Sequence, residues 1–139
     1  MKRIILILAA MAAFSTVSKA DKPLSFDKLP IPAQEYVKSS VPDLTISTVK
    51  KDGSEYDVVL ADGTKISFDK KGTCIKVKNK IQTIDRRLIP ALIREKVEVL
   101  YNGVVYERID FKSKGYEVEL NNGVELTFDK NYKLTHVDD

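Results

Sequence analysis

Displaced by sixty residues, this chain matches itself without a gap. Pro30 falls on Pro90, Val37 on Val97, Tyr56 on Tyr116, Val58 on Val118, Leu60 on Leu120, Gly63 on Gly123, and Phe68-Asp69-Lys70 on Phe128-Asp129-Lys130. Conservative pairs fill the intervals: Leu29 with Ile89, Ile46 with Tyr106, Val49 with Ile109, Asp62 with Asn122, Ile66 with Leu126. A register kept over that length marks an internal repeat, so whatever one copy folds into, the other must fold into as well. The boundaries that follow are residues 21–80 for the first copy and 81–139 for the second.

Within each copy the hydrophobic period changes once. Ile89, Leu92, Ile93, Val97 and Leu100 recur at helical spacing, Pro90 suits a first turn, and Asn102-Gly103 is a stop. In the first copy Ala33, Tyr36, Val37 and Val41 share a helical face before Pro42. After each helix come four alternating runs: 44–50, 55–60, 64–69 and 73–78, then 104–111, 116–120, 124–129 and 133–137. The fold class is therefore α+β: two tandem repeats, each a helix packed on a four-stranded antiparallel sheet.

The central hairpin of each copy fixes its own register. A two-residue loop at Asn122-Gly123 would set Leu120 against Glu125, which a sheet with one buried face forbids. A three-residue loop, Asn121-Asn122-Gly123 with the glycine left-handed, pairs Leu120 with Val124, Val118 with Leu126 and Tyr116 with Phe128. The first copy pairs Leu60 with Thr64, Val58 with Ile66 and Tyr56 with Phe68 by the same rule. The aromatic pairs belong to the core.

The first twenty residues stand apart. Lys2 and Arg3 precede an uncharged stretch from Ile4 to Ser18, and Ser18-Lys19-Ala20 presents small residues where a signal peptidase cuts. The stretch is shorter than the roughly 20 residues a membrane-spanning helix needs. Residues 1–20 are read as a signal peptide, and the remainder as a periplasmic or secreted protein not inserted in a membrane. Lys2, Arg3 and Lys19 carry the whole excess of +3, so the remaining chain is neutral. That removes the electropositive surface a nucleic-acid partner requires. Cys74 is the one cysteine, so no internal disulfide staples the fold.

Function must then sit on the outward sheet positions, where the copies differ. These are Asp57, Val59, Lys65 and Ser67 in the first copy, and Glu117, Glu119, Glu125 and Thr127 in the second. Glu119 lies opposite Glu125, which costs stability unless a positive group is near. Either a cationic group on a partner meets this acidic face, or Lys112, Lys114 or Lys133 on flanking strands neutralises it. Glu117, Glu119, Glu125 and Thr127 are thus the candidate partner-binding residues. No catalytic set is visible: His136 is the single histidine, read as solvated or half-buried, and no serine occupies a nucleophile elbow. Asp62, Asp69 and Asp129 adjoin turns and show no calcium-loop spacing, so no metal or cofactor is expected. Cys74 aligns with Leu134 and is read as a small buried hydrophobe.

The run Lys-Asp-Gly-Ser-Glu-Tyr-Asp-Val-Val-Leu-Ala-Asp-Gly-Thr-Lys-Ile-Ser-Phe-Asp-Lys-Lys-Gly (51–72), with Gly-Tyr-Glu-Val-Glu-Leu-Asn-Asn-Gly-Val-Glu-Leu-Thr-Phe-Asp-Lys (115–130), resembles the PepSY-like family of exported bacterial proteins. The resemblance implies a tandem unit behind a signal peptide and a fold similar to β-lactamase-inhibitor proteins, whose helix-on-sheet repeats build a concave binding face. The chain has no tryptophan and no pair of disulfides, so the likeness implies fold rather than inhibition of a β-lactamase. Two functions follow. One is a non-catalytic binding or inhibitory module presenting its sheet to a protein partner, such as a peptidase or envelope enzyme. The alternative is a small-ligand or envelope sensor binding a peptide or glycan between the repeats, near residues 78–88.

Overall fold

Alternation in eight strands assembles one unbroken apolar row. In the computed structural model, which describes residues 21–139, Val49, Val58, Ile66, Val77, Ile109, Val118, Leu126 and Val137 are successive cross-strand partners. All but the two outermost members are completely shielded from solvent. The signal peptide expected at residues 1–20 lies outside the described residues.

The elements are β1 (Asp21–Pro23), a 3-10 turn (Phe26–Lys28), α1 (Ile31–Ser40), β2 (Ile46–Asp52), β3 (Glu55–Leu60), β4 (Lys65–Phe68) and β5 (Cys74–Lys78). A second 3-10 turn (Arg86–Leu88), α2 (Ala91–Leu100), β6 (Tyr106–Lys112), β7 (Gly115–Leu120), β8 (Glu125–Asp129) and β9 (Leu134–Asp138) follow. The strands form one antiparallel sheet of nine, ordered as they occur in the chain. The four-stranded sheet expected under each helix is thus part of a larger one. β5 and β6 join the halves through Lys76↔Asp110, Val77↔Ile109 and Lys78↔Arg108, and β1, which no alternation marks, pairs with β2.

Both helices start the same way. Pro30 and Pro90 hold extended backbone with φ of −53° and −54° at the two N-termini, where a residue lacking an N–H costs nothing. Equivalent side chains then brace the turn: Gln34 Nε2 donates to the Leu29 carbonyl at 2.8 Å, and Arg94 Nε donates to the Ile89 carbonyl at 3.1 Å. Ala33 and Val37 from α1, and Ile93 and Val97 from α2, are buried in the same core as the apolar row. Tyr36 meets Phe68 edge to face at 5.8 Å. Burying a residue of that size contributes about 1.5–3 kcal/mol, so stability rests on this one layer between helices and sheet.

The hairpin registers are those the alternation dictates: Val58↔Ile66 and Tyr56↔Phe68 in one half, Val118↔Leu126 and Tyr116↔Phe128 in the other. Gly63 and Gly123 have φ of 94° and 89°. The turn carboxylates serve the backbone. Asp69 Oδ1 accepts from the Lys71 and Thr73 N–H groups, and Asp129 Oδ1 accepts from Asn131 and Lys133.

Candidate binding face

With the helices on the apolar side, the opposite side of the sheet presents its alternate residues in rows. One row runs Lys65, Lys78, Arg108, Glu119, Glu125, Asp138, each the direct partner of the next. Three cations on β4 to β6 are followed by three carboxylates on β7 to β9. The adjoining row runs Lys50, Asp57, Ser67, Lys76, Asp110, Glu117, Thr127, His136. Continuity of the sheet across β5 and β6 is what joins these charges into one surface.

The structure places Glu117, Glu119, Glu125 and Thr127 together on this face, with Glu119 opposite Glu125. The positive group they require is Arg108, which the sequence reading passed over. Its Nη1 reaches Asp110 and, at 3.1 Å, Glu117; its Nε lies 3.3 Å from Glu119 and its Nη2 3.5 Å from Glu125. Lys112 adds a second contact to Glu117 at 3.1 Å. Neutralisation therefore comes from Arg108 and Lys112 rather than from Lys114 or Lys133. Counting back from the buried Ile109 puts Arg108 outward, and the next residue on, Asp110, shares that side. A bulge between Tyr106 and Arg108 hides this from anyone counting forward.

Exposure sorts the cluster. The Arg108 side chain is 17% exposed, Glu117 25%, Glu119 35% and Glu125 41%. Burial works against the Glu117 carboxylate, but hydrogen bonds from Lys112 and Arg108 outweigh it and hold its pKa below the usual range. Glu125 goes the other way. Partial burial, joined by Glu117 and Glu119, raises its pKa despite Arg108.

The first half of the face is built differently. Asp57 and Ser67 point outward as expected yet are buried, and their polar groups are satisfied there: Ser67 Oγ donates to Asp57 Oδ1 at 2.7 Å and Lys65 pairs with the carboxylate at 3.5 Å. Lys76 reaches across the seam to Asp110 at 3.6 Å. Burial, reinforced by Lys65, Lys76 and Lys80, depresses the pKa of Lys78. A hollow of about 200 Å³ lies among Asp57, Lys65, Ser67, Lys76 and Lys78. A second, of about 310 Å³, is bounded by Lys78, Lys80, Glu107, Arg108 and Glu119 at the seam.

The remaining candidates fall elsewhere. His136 is exposed at the end of the second row. Cys74 is buried on the core side, where burial pushes its thiol pKa up to about 12. Among the described residues, no three His, Cys, Asp or Glu side chains are grouped to hold a metal ion.

Comparison with known proteins gives one family and several neighbours. The family model described as "Putative beta-lactamase-inhibitor-like, PepSY-like" matches residues 12–60 and 54–136. The crystal structure of a "putative calcium-regulated periplasmic protein" from Bacteroides thetaiotaomicron is similar at 32% identity and a TM-score of 0.77, over 86% of this chain and 97% of that one. A "putative periplasmic protein" of the DUF2874 family from Bacteroides vulgatus is 31% identical, with a TM-score of 0.74 over 86% and 97%. A "putative periplasmic protein of unknown function" from the same organism is 30% identical, with a TM-score of 0.72 over 86% and 99%. A search of curated proteins finds no match.

Proposed function

The chain belongs to the PepSY-like, β-lactamase-inhibitor-like family, and on that premise we propose that it is an exported, non-catalytic binding or inhibitory module whose open sheet face takes a protein partner. Two tandem repeats, 21–80 and 81–139, follow a signal peptide at 1–20 in this reading. The partner is a peptidase or another envelope enzyme. Periplasmic descriptions of the similar structures support the location, and no helix among the described residues is long and apolar enough to cross a membrane.

One observation carries the reading: an uninterrupted sheet face whose charge changes sign along a single row, from Lys65, Lys78 and Arg108 to Glu119, Glu125 and Asp138. Such a surface selects a partner with acidic groups opposite β4 and β5 and basic groups opposite β7 and β8, and charge complementarity of this kind sets specificity and association rate. The calcium regulation in one neighbour's description is not carried over, because here Asp110, Glu117, Glu119 and Glu125 converge on a guanidinium. The hollow of about 310 Å³ at the seam, with Lys78, Lys80, Arg108 and Glu119 around it, favours a peptide or glycan ligand as the second reading.

The test is affinity capture from the native cell envelope with three baits: the wild type, Glu119→Lys plus Glu125→Lys, and Lys65→Glu plus Lys78→Glu. A partner so identified is then titrated by calorimetry at low and high salt. Binding weakened by both reversals and by salt is the expected result. Equal affinity for all three proteins would refute use of this face.

A further inference from the structure

Two features outside the charged face meet at one edge of the sheet. β9 is last in strand order, so one side of its backbone has no partner strand among the described residues. The opposite edge is blunted: β1 has three residues, one of them Pro23 and another Lys22, the usual protections against edge pairing. β9 has five residues, Leu-Thr-His-Val-Asp, with neither device. Beside it, α2 leaves Leu92 50%, Val99 83% and Leu100 55% exposed. Val99, Leu100 and Leu134 line an apolar hollow of about 360 Å³ with Glu95 and Lys96 at its rim.

The repeat shows what covers such an edge. β5 is the counterpart of β9, and its Val77 is fully buried because β6 lies antiparallel against it with Ile109 opposite. The matching residue of β9, Val137, is 41% exposed. What is missing is an antiparallel strand with an apolar residue in register with Val137.

We propose that this strand is β9 of a second copy of the chain. About a two-fold axis at Val137, antiparallel pairing sets Val137 against its counterpart, and His136 of each copy beside Asp138 of the other. The seam between β5 and β6 likewise uses three residue pairs. The charge pattern agrees, because Glu119, Glu125 and Asp138 form one acidic row and the imidazole brings a donor to its end. An axis at His136 instead would oppose Val137 to Thr135 and Leu134 to Asp138, mixing apolar with polar on the core side. The axis is normal to the sheet, so both α2 helices stay on the same side and their Val99 and Leu100 side chains meet. The charged faces remain open, so the dimer is independent of the partner proposed above.

Sedimentation velocity of the exported, purified protein over a micromolar concentration series tests this. The wild type is expected to dimerise reversibly. Val99→Glu, at a solvent-exposed site, and Val137→Lys, in the edge strand, should each weaken the dimer at least tenfold. Val137→Cys in a Cys74→Ser background should cross-link under mild oxidation, whereas Lys22→Cys in the same background, at the other edge, should not. This arm stands even if Val137→Lys fails to fold. A monomer throughout the series, whatever else binds the edge, overturns the proposal. So does a dimer that survives Val99→Glu and Val137→Lys, or one that Val137→Cys does not lock.

Discussion

Replacing Arg108 by methionine keeps the apolar length of the side chain and removes the one cation that four carboxylates share. Asp110 is the most costly to abandon. Its side chain is 10% exposed and would retain only Lys76 at 3.6 Å, and a charge-assisted hydrogen bond lost at a shielded site costs about 1.5–3 kcal/mol. Glu117 keeps Lys112 at 3.1 Å and loses about 0.5 kcal/mol. Glu119 and Glu125 are more than a third exposed, so solvent screening limits each to a few tenths of a kcal/mol. The expected destabilisation is about 2–4 kcal/mol, or a fall in Tm of roughly 10 °C for a chain of this size. The pH dependence has a definite sign. Arg108 pulls the Glu117 and Glu125 carboxyls down, so without it both rise, and the deficit is full at pH 7 and shrinks as acid protonates these two groups in the variant. Thermal denaturation of both proteins from pH 7 to pH 4, at low and high salt, measures this. A loss below about 0.5 kcal/mol, or a deficit that does not change with pH, would show that the cluster is not held together by the guanidinium.

Glu117→Gln and Glu125→Gln should act in opposite directions at neutral pH. Glu117, whose pKa is lowered, stabilises the fold above its unfolded value, so its replacement lowers Tm at pH 7 and the difference fades as acid titrates the wild type. Glu125, whose pKa is raised, opposes folding when ionised, so Glu125→Gln raises Tm at pH 7 and loses its advantage once the wild-type carboxyl is protonated; the same sign for both would refute the assignment. Cys74, buried with its thiol pushed up to about 12, should resist maleimide at pH 8 in the native protein and react within minutes in denaturant. Rapid native labelling, followed by mass spectrometry, would show that the site opens. Gly115→Ala places a Cβ 2.0 Å from the Phe128 carbonyl oxygen at a backbone φ of 146°, a clash with backbone that no rotamer relieves. Loss of the folded state is the expected result in circular dichroism, and a Tm within a few degrees of wild type would count against this account of β7 and β8.

Local pattern carried most of the architecture. The core of each central hairpin followed from which residues can share a buried face, because shifting Val118 off Leu126 would turn a whole strand inside out. The two proline-led helices were equally legible. Local pattern was silent about pairing over distance. Nothing in Cys74–Lys78 says that its free side meets Tyr106–Lys112, and β1 is too short to show alternation. The acidic half of the face was visible as outward glutamates, but its centre was not. Arg108 follows a bulge in β6, and its role depends on reaching across two further strands. Likewise Asp57 and Ser67 were placed on the correct side, while the hydrogen bond between them and the Lys65 contact that let them lie buried there span two strands and are not written in either one alone.

Strand order that follows chain order has a consequence for the folding route. Most strand pairs in this sheet are joined by short turns, and only β1 with β2 and β5 with β6 close over a helix. Each of those two closures spans about 30 residues, and the entropy of closing a loop grows only with the logarithm of its length. The second repeat therefore adds a closure of the same size as the first. Doubling the chain widened the sheet without lengthening the search for any partner, so contact order relative to length falls, and folding need not slow as it does when added sequence brings more distant pairings.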